Sequence, residues 1–188
     1  MRLIESILAD AAAIAAVRRD IHAHPELCFE EKRTSDVIAK QLTDWGIPIH
    51  RGLGTTGIVA ILKNGTSTRA VGLRADIDAL PMTEHNTFAH ASKHPGKMHS
   101  CGHDGHTAML LAAAKHLSKH RNYDGTVYLV FQPAEEGGGG AHLLEAQLGM
   151  GMDVAAQGRD GDRVRQDRFN QLHQRLLWIE HGQGQGVD

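Results

Sequence analysis

Three short segments of the sequence concentrate side chains that bind metal ions or transfer protons. The first runs from Arg74 to Pro81 and contains Asp76 and Asp78. In extended backbone, residues i and i+2 point to the same side, so both carboxylates are expected to face one site. Taken alone, this pattern is also typical of an Asp-rich turn that ends at Pro81.

The second segment places a thiol, three imidazoles and a carboxylate within a few residues, between His99 and His106. A lone Cys or His is usually a packed or surface residue, but this density of ligands predicts a site for one or two divalent ions. Metal binding would favour the thiolate form of Cys101, beside the imidazole of His103. Asp104 has a competing role, because it lies near a predicted helix start and can cap that helix.

The third segment is Gln132 to Gly137, in which Glu135 and Glu136 follow an apolar run. Adjacent carboxylates after a buried strand are expected to face different ways, so that one binds metal and the other handles protons. Considered alone, the Glu135–Glu136 pair is explained equally well as a solvated helix start, because the helix dipole favours acidic residues there.

Each of the three segments follows or begins a predicted element, and the order of elements indicates an α/β fold with helices on the faces of a sheet. Ligands of open α/β sheets bind at the carboxyl ends of the strands, so the three segments, each taken to follow a predicted strand, are expected to converge on one crevice. The predicted helices are one over 3–23 that ends at His24-Pro25, one over 35–45 capped by Thr34, and one over 107–120. The other predicted elements are a strand and turn over 57–65, strands over 70–77 and 125–131, and a loop over 81–103.

Composition and charge exclude several classes of function. The 188 residues carry a net charge of -2, which gives no reason to expect a nucleic-acid partner or a polybasic membrane contact. No segment approaches the roughly 18 consecutive apolar residues that a membrane-spanning helix needs. The two cysteines, Cys28 and Cys101, form neither a disulfide framework nor a Cys-x-x-Cys pair, so a cytoplasmic location is expected and a thiol-redox function is disfavoured.

Together with the run from Arg18 to Leu27, these segments resemble the zinc-peptidase-type amidohydrolases, over about residues 15–141. The branch that they resemble includes hippurate hydrolase and the N-acyl-amino-acid and indoleacetyl-amino-acid amidohydrolases. The resemblance implies part of a catalytic domain with a mixed sheet flanked by helices. It also implies hydrolysis of the amide bond of small, hippurate-like N-acyl amino acids by a metal-activated water.

The resemblance also implies roles for individual residues. Cys101, His103 and Glu136 resemble ligands of a site for two divalent ions, with Zn or Mn expected and Co or Ni also compatible. Glu135 resembles the general base, and Asp78 resembles the carboxylate that orients the site. Cys28 stands where the family has a small Gly.

The composition of the chain changes near residue 141. All seven Lys and all five Pro precede that point, whereas seven of the nine Gln follow it. We therefore expect residues 1–141 to be the N-terminal part of the catalytic domain and residues 142–188 to be a tail outside the family pattern. Two interpretations of the tail stay open, a disordered polar tail and a product of another reading frame that begins near Gly140.

Family members also supply further His ligands and a dimerisation domain, and neither is recognised after Ala141. The oligomeric state therefore cannot be carried over. The alternative to an active hydrolase is a truncated, catalytically inactive remnant that at most binds metal.

Overall fold

The structure, a computed structural model, describes residues 5–148 of the chain. This part of the sequence forms four helices and four strands. They are α1 (Glu5–Ala23), α2 (Lys32–Asp44), β1 (Ile49–Leu53), β2 (Gly57–Asn64), β3 (Ala70–Asp76), α3 (His103–Lys119), β4 (Gly125–Gln132) and α4 (Gly140–Leu148).

The four strands form one mixed sheet in the order β1-β2-β4-β3. Strand β2 pairs antiparallel with both β1 and β4, whereas β3 pairs parallel with β4. The expected α/β fold, a mixed sheet flanked by helices, is therefore confirmed. The parallel pair matters for the site, because it brings the carboxyl ends of β3 and β4 to the same edge of the sheet.

Apolar side chains of the sheet are buried on both faces. On one face they pack against α2 and α3 around Ile38, Leu111 and Phe131. On the other face Val59 and Tyr128 form a smaller cluster with Leu144 of α4. The sheet thus has a helix-covered face that carries most of the core, and a second face on which α4 packs.

The two N-terminal helices lie where the sequence predicts helices, and the main difference is how α2 begins. Helix α1 ends at Ala23, as the following His24-Pro25 predicts. Thr34 is not the cap of α2, since it lies buried inside the helix. Instead the side chain of Glu26 accepts hydrogen bonds from the backbone N–H groups of Arg33, at 3.0 Å, and Thr34, at 2.8 Å. A carboxylate from outside the helix therefore satisfies two of the free amide groups of its first turn.

Strand β1 and helix α4 are absent from the prediction. Strand β1 is short and includes Arg51 and Gly52, so it lacks the run of apolar residues that identifies a strand in the sequence. Helix α4 begins at Gly140, where a Cβ atom would lie 1.8 Å from the carbonyl oxygen of Pro133, so only glycine fits there. The helix crosses Ala141, and the domain boundary at that residue stays a prediction.

The predictions for the tail fall on residues 149–188, which lie outside the described part of the chain. Within residues 5–148, none of the helices combines the length and the apolar composition that a membrane crossing requires.

Candidate metal centre

The three chemical segments meet at one edge of the sheet. Asp76 ends β3 and is paired with Gln132, the last residue of the parallel strand β4. The third segment continues from Gln132, and the second enters α3 at His103. Convergence of the strand ends, predicted from topology, therefore places all three segments around the first turn of α3.

The predicted ligand residues Cys101, His103 and Glu136 form one cluster. One ligand atom from each residue, a sulfur, a ring nitrogen and a carboxylate oxygen, lies within 4.8 Å of the others. His103 is buried, and the other two are partly exposed. A thiolate, an imidazole and a carboxylate at this spacing match the donor types that Zn and related divalent ions accept, so the residues present fit a metal ion.

Asp78 lies behind this cluster and contacts His103. Its carboxylate is fully buried, and its Oδ1 lies 3.2 Å from Nδ1 of His103. The backbone carbonyl of Asp78 lies 3.0 Å from the same nitrogen. Nδ1 of His103 therefore donates its hydrogen to Asp78, and Nε2 is left as the ring atom that can bind a cation. The other carboxylate oxygen, Oδ2, accepts the backbone N–H of Glu136 at 2.9 Å.

The electrostatics of the cluster favour a positive charge. Burial of Asp78 opposes its ionisation, but hydrogen bonds from His103 and from the Glu136 amide hold its pKa down at about 2. Burial likewise favours neutral His103, yet hydrogen bonds with Asp78 and Cys101 and the nearby charge of Asp76 raise its pKa to about 11. Several anionic groups therefore surround His103, which is the environment that a metal ion or a proton requires.

The two adjacent glutamates face the same ring, which corrects the prediction that they point different ways. Oε2 of Glu135 lies 3.8 Å from Nε2 of His103, and Oε1 of Glu136 lies 3.9 Å from the same atom. The prediction assumed extended backbone, but Ala134 has a φ of 49° and turns the chain out of the strand. Both side chains are partly exposed, Glu135 at 40% and Glu136 at 29%, so Glu135 is the more accessible to solvent.

A second group of possible ligands, for which the sequence predicted no set, consists of Asp76, His103 and His106. Oδ1 of Asp76 lies 2.7 Å from Nδ1 of His106, and its Oδ2 pairs with the Arg74 guanidinium at 3.0 Å. This group shares His103 with the first one. In this second group the Arg74 guanidinium already offsets part of the charge of Asp76.

Asp104 has a different role from the predicted helix cap. The N-cap of α3 is Gly102, which has a φ of 90°, and no side chain caps the helix there. The carboxylate of Asp104 instead lies 3.0 Å from both Nε of Arg18 and Nδ1 of His22. Asp104 therefore ties α3 to α1, and His22 belongs to that structural contact.

Two residues beside the centre, Cys28 and Glu31, come from the segment between α1 and α2 and were not predicted to contribute to it. Sγ of Cys28 lies 3.3 Å from Oδ2 of Asp78, and burial together with that carboxylate raises the pKa of the thiol to about 11. Glu31 is fully buried, and its carboxylate accepts the N–H of Ala134 at 2.9 Å and the hydroxyl of Thr56 at 2.6 Å. Burial raises the pKa of Glu31.

Two cavities flank α3, and the smaller one adjoins the centre. It has a volume of about 310 Å³, and Arg74, Asp76 and His106 contribute to its polar side. The larger cavity, of about 570 Å³, lies in the groove between α1 and α3, where Ile14 and Met109 are among its apolar walls. None of the three ligand residues lines this larger cavity. The donor atoms therefore identify the centre, and the size of the cavity does not.

Comparison with known proteins adds a family to this geometry. Residues 72–174 match the model of peptidase family M20/M25/M40, a range that contains the three chemical segments and extends past Ala141. The chain is 46% identical over 144 residues to hippurate hydrolase of Campylobacter jejuni, which covers 77% of this chain and 37% of that enzyme. It is 43% identical over 157 residues to N-acyl-L-amino acid amidohydrolase of Geobacillus stearothermophilus, which covers 81% of this chain and 41% of that protein.

A solved structure supports the same relationship. The YXEP protein of Bacillus subtilis, described as a dinuclear metal binding peptidase from the M20 family, superposes with a TM-score of 0.66 at 41% identity. The superposition covers 69% of this chain and 37% of that structure. The chain thus spans well under half the length of these relatives.

Proposed function

Since the chain belongs to peptidase family M20/M25/M40, we propose that its metal centre hydrolyses the amide bond of small N-acyl amino acids. The observation that carries the proposal is the meeting of Cys101, His103 and Glu136 within 4.8 Å. The printed names of two relatives, a hippurate hydrolase and an N-acyl-L-amino acid amidohydrolase, support this class of substrate.

In this proposal Cys101, His103 and Glu136 hold the metal, and the centre takes two divalent ions. Zn and Mn are the expected metals, and the mixed donor set also accepts Co and Ni. When bound, divalent ions supply Lewis acidity that polarises an amide carbonyl and makes water more acidic. Asp78 keeps the His103 ring in the orientation that presents Nε2 to the cation.

Glu135 is the proposed general base. Its carboxylate lies 3.8 Å from Nε2 of His103, beside the ligand cluster, and it is open to solvent. It removes a proton from the attacking water as the new C–O bond forms. It then delivers that proton to the nitrogen as the C–N bond breaks, so that the amine leaves in protonated form.

The test uses the purified 188-residue chain, stripped of metal and reloaded with Mn or Zn, with hippurate as substrate. We expect metal-dependent release of the amino acid. Glu135→Gln should lower kcat by about 10²–10⁴-fold, the usual contribution of a general base, while metal uptake stays unchanged.

The matched control is Glu30→Gln, the same substitution at an exposed residue that pairs with Lys97 outside the ligand cluster. This variant should retain full turnover. Metal uptake by the unmodified chain without any turnover would contradict the proposed activity and would support the alternative, an inactive remnant that binds metal.

A further inference from the structure

We propose that the thiol of Cys28 is a positioning group for the metal centre, which holds Asp78 and the backbone of Glu136 together so that the ligands meet one cation. This inference rests on the proposed metal site and adds to it a residue from outside the three chemical segments. It assigns Cys28 no contact with substrate or metal.

The geometry places the thiol between two parts of the centre. Sγ of Cys28 lies 3.3 Å from Oδ2 of Asp78 and 3.3 Å from the backbone carbonyl oxygen of Glu136. The N–H of Glu136 donates to the same Oδ2 at 2.9 Å. Cys28, Asp78 and Glu136 therefore form a closed ring of contacts that links the α1–α2 connection, the end of β3 and the segment after β4.

The ring matters because Asp78 controls the orientation of His103. The Asp78 carboxylate is fully buried, so each of its oxygens needs donors that do not come from bulk water. His103 supplies one donor to Oδ1, while Cys28 and the Glu136 amide supply donors to Oδ2. Loss of the thiol would remove one of the two donors to Oδ2 and would hold the carboxylate less firmly, and with it the His103 ring that it orients.

Cys28 acts on the ligands and is not one of them. Among the described residues, neither group with ligand atoms close enough for one cation includes Cys28. Its hydrogen is directed to oxygen atoms, and a sulfur that donates a hydrogen is not free to bind metal as a thiolate.

The surroundings of Cys28 restrict which substitutions can test this role. A Cβ atom on Gly138 would lie 3.2 Å from Cβ of Cys28, so Cys28 packs closely against the segment after β4 and the test uses substitutions that do not enlarge it. Ser and Ala are both smaller than Cys. Ser keeps a donor and Ala removes it, so the two variants separate the hydrogen bond from the packing.

The experiment measures Co²⁺ affinity and absorption spectra of the metal-free 188-residue chain, because thiolate ligation to Co²⁺ gives a charge-transfer band that reports on Cys101. Cys28→Ala should weaken Co²⁺ binding by about tenfold, the lower end of the range for residues that support a metal-binding His, because it acts through Asp78, and it should alter the band. Cys28→Ser should bind Co²⁺ nearly as tightly as the unmodified chain.

A double-mutant cycle with Asp78→Asn distinguishes positioning from a general loss of stability. If Cys28 acts through Asp78, then Cys28→Ala should cause little further loss of Co²⁺ affinity in the Asp78→Asn background. Should Cys28→Ala not fold, Cys28→Gly takes its place as the variant without a donor, with folding followed by circular dichroism.

Several results would overturn the inference. Unchanged Co²⁺ affinity and spectrum in Cys28→Ala would overturn the inference and leave the proposed metal site intact. A lowered melting temperature of Cys28→Ala with unchanged Co²⁺ affinity would have the same meaning. A Cys28→Ser variant as weak as Cys28→Ala would eliminate the donor role. Failure of the unmodified chain to bind Co²⁺ would overturn both the inference and the proposed metal site.

Discussion

The buried contact between Asp78 and His103 predicts an unusual protonation state for the metal-free chain. With a pKa of about 11, His103 should still carry two ring hydrogens at pH 8, where an ordinary imidazole is neutral. The folded-state pKa is raised, so the stability that this proton contributes is fully present below about pH 6.5 and is lost as the pH rises toward 11. Nitrogen-detected NMR of the metal-free chain would report the ring as an imidazolium.

Added Zn should displace that proton from Nε2 and leave the hydrogen on Nδ1, so metal binding should release protons and tighten as the pH rises. Asp78→Asn, which removes the negative partner, should lower the pKa of His103. A neutral His103 at pH 8 in the unmodified metal-free chain would contradict the prediction.

At the residue scale, the sequence predicts those members of the centre whose chemistry is local. Cys101 and His103 are two residues apart, and Glu136 follows the end of a strand, so their types and spacing are visible. Cys28 contacts a carboxylate 50 residues away and a carbonyl 108 residues away, and each position alone resembles an ordinary loop residue. Contacts at such separations depend on the fold and leave no local pattern.

At the scale of elements, the apolar strands were predictable and the polar helix start was not. Strands β2 and β4 contain continuous apolar runs that end at polar residues, whereas β3 is shorter and is interrupted by Gly72 and Arg74. Helix α3 begins at His103, four residues before the predicted start at Thr107, because Gly102 adopts a left-handed conformation and His103 and Asp104 are polar but helical. The early start places His103 and His106 on the first turn, at the strand ends.

The packing of helix α4 on the sheet can be tested by substitution. Leu144 is 2% exposed and packs with Leu53, Val59 and Tyr128 on the second face of the sheet. Leu144→Ala should lower the free energy of unfolding by about 2–5 kcal/mol, the usual effect of removing a buried leucine side chain. Urea denaturation of the full chain would measure the change.

The neighbouring residue supplies the control. Leu143 is 46% exposed, so Leu143→Ala should change the free energy of unfolding by no more than about 0.5 kcal/mol. Equal effects of the two substitutions would mean that α4 does not pack on the sheet.

At the scale of the whole molecule, the centre joins parts of the chain that are distant in sequence. The segment between α1 and α2 contributes Cys28 and Glu31, the end of β3 leads to Asp78, and the residues after β4 contribute Glu136. These parts come together only in the folded state, so a metal ion should bind the folded chain far more tightly than the unfolded one. Metal affinity should therefore appear as thermal stability.

Zn at a free concentration 100 times its Kd should stabilise the chain by about 2.7 kcal/mol, and a chelator should reverse the rise in melting temperature. His103→Ala should abolish the rise, because both candidate ligand groups share that residue. His85→Ala, the same substitution at an exposed position, should leave it intact. If Zn raised the melting temperature of the His103→Ala and His85→Ala variants equally, the ion would be bound elsewhere. A loss of the rise in His103→Ala alone would mean that the ion binds where the strand ends meet.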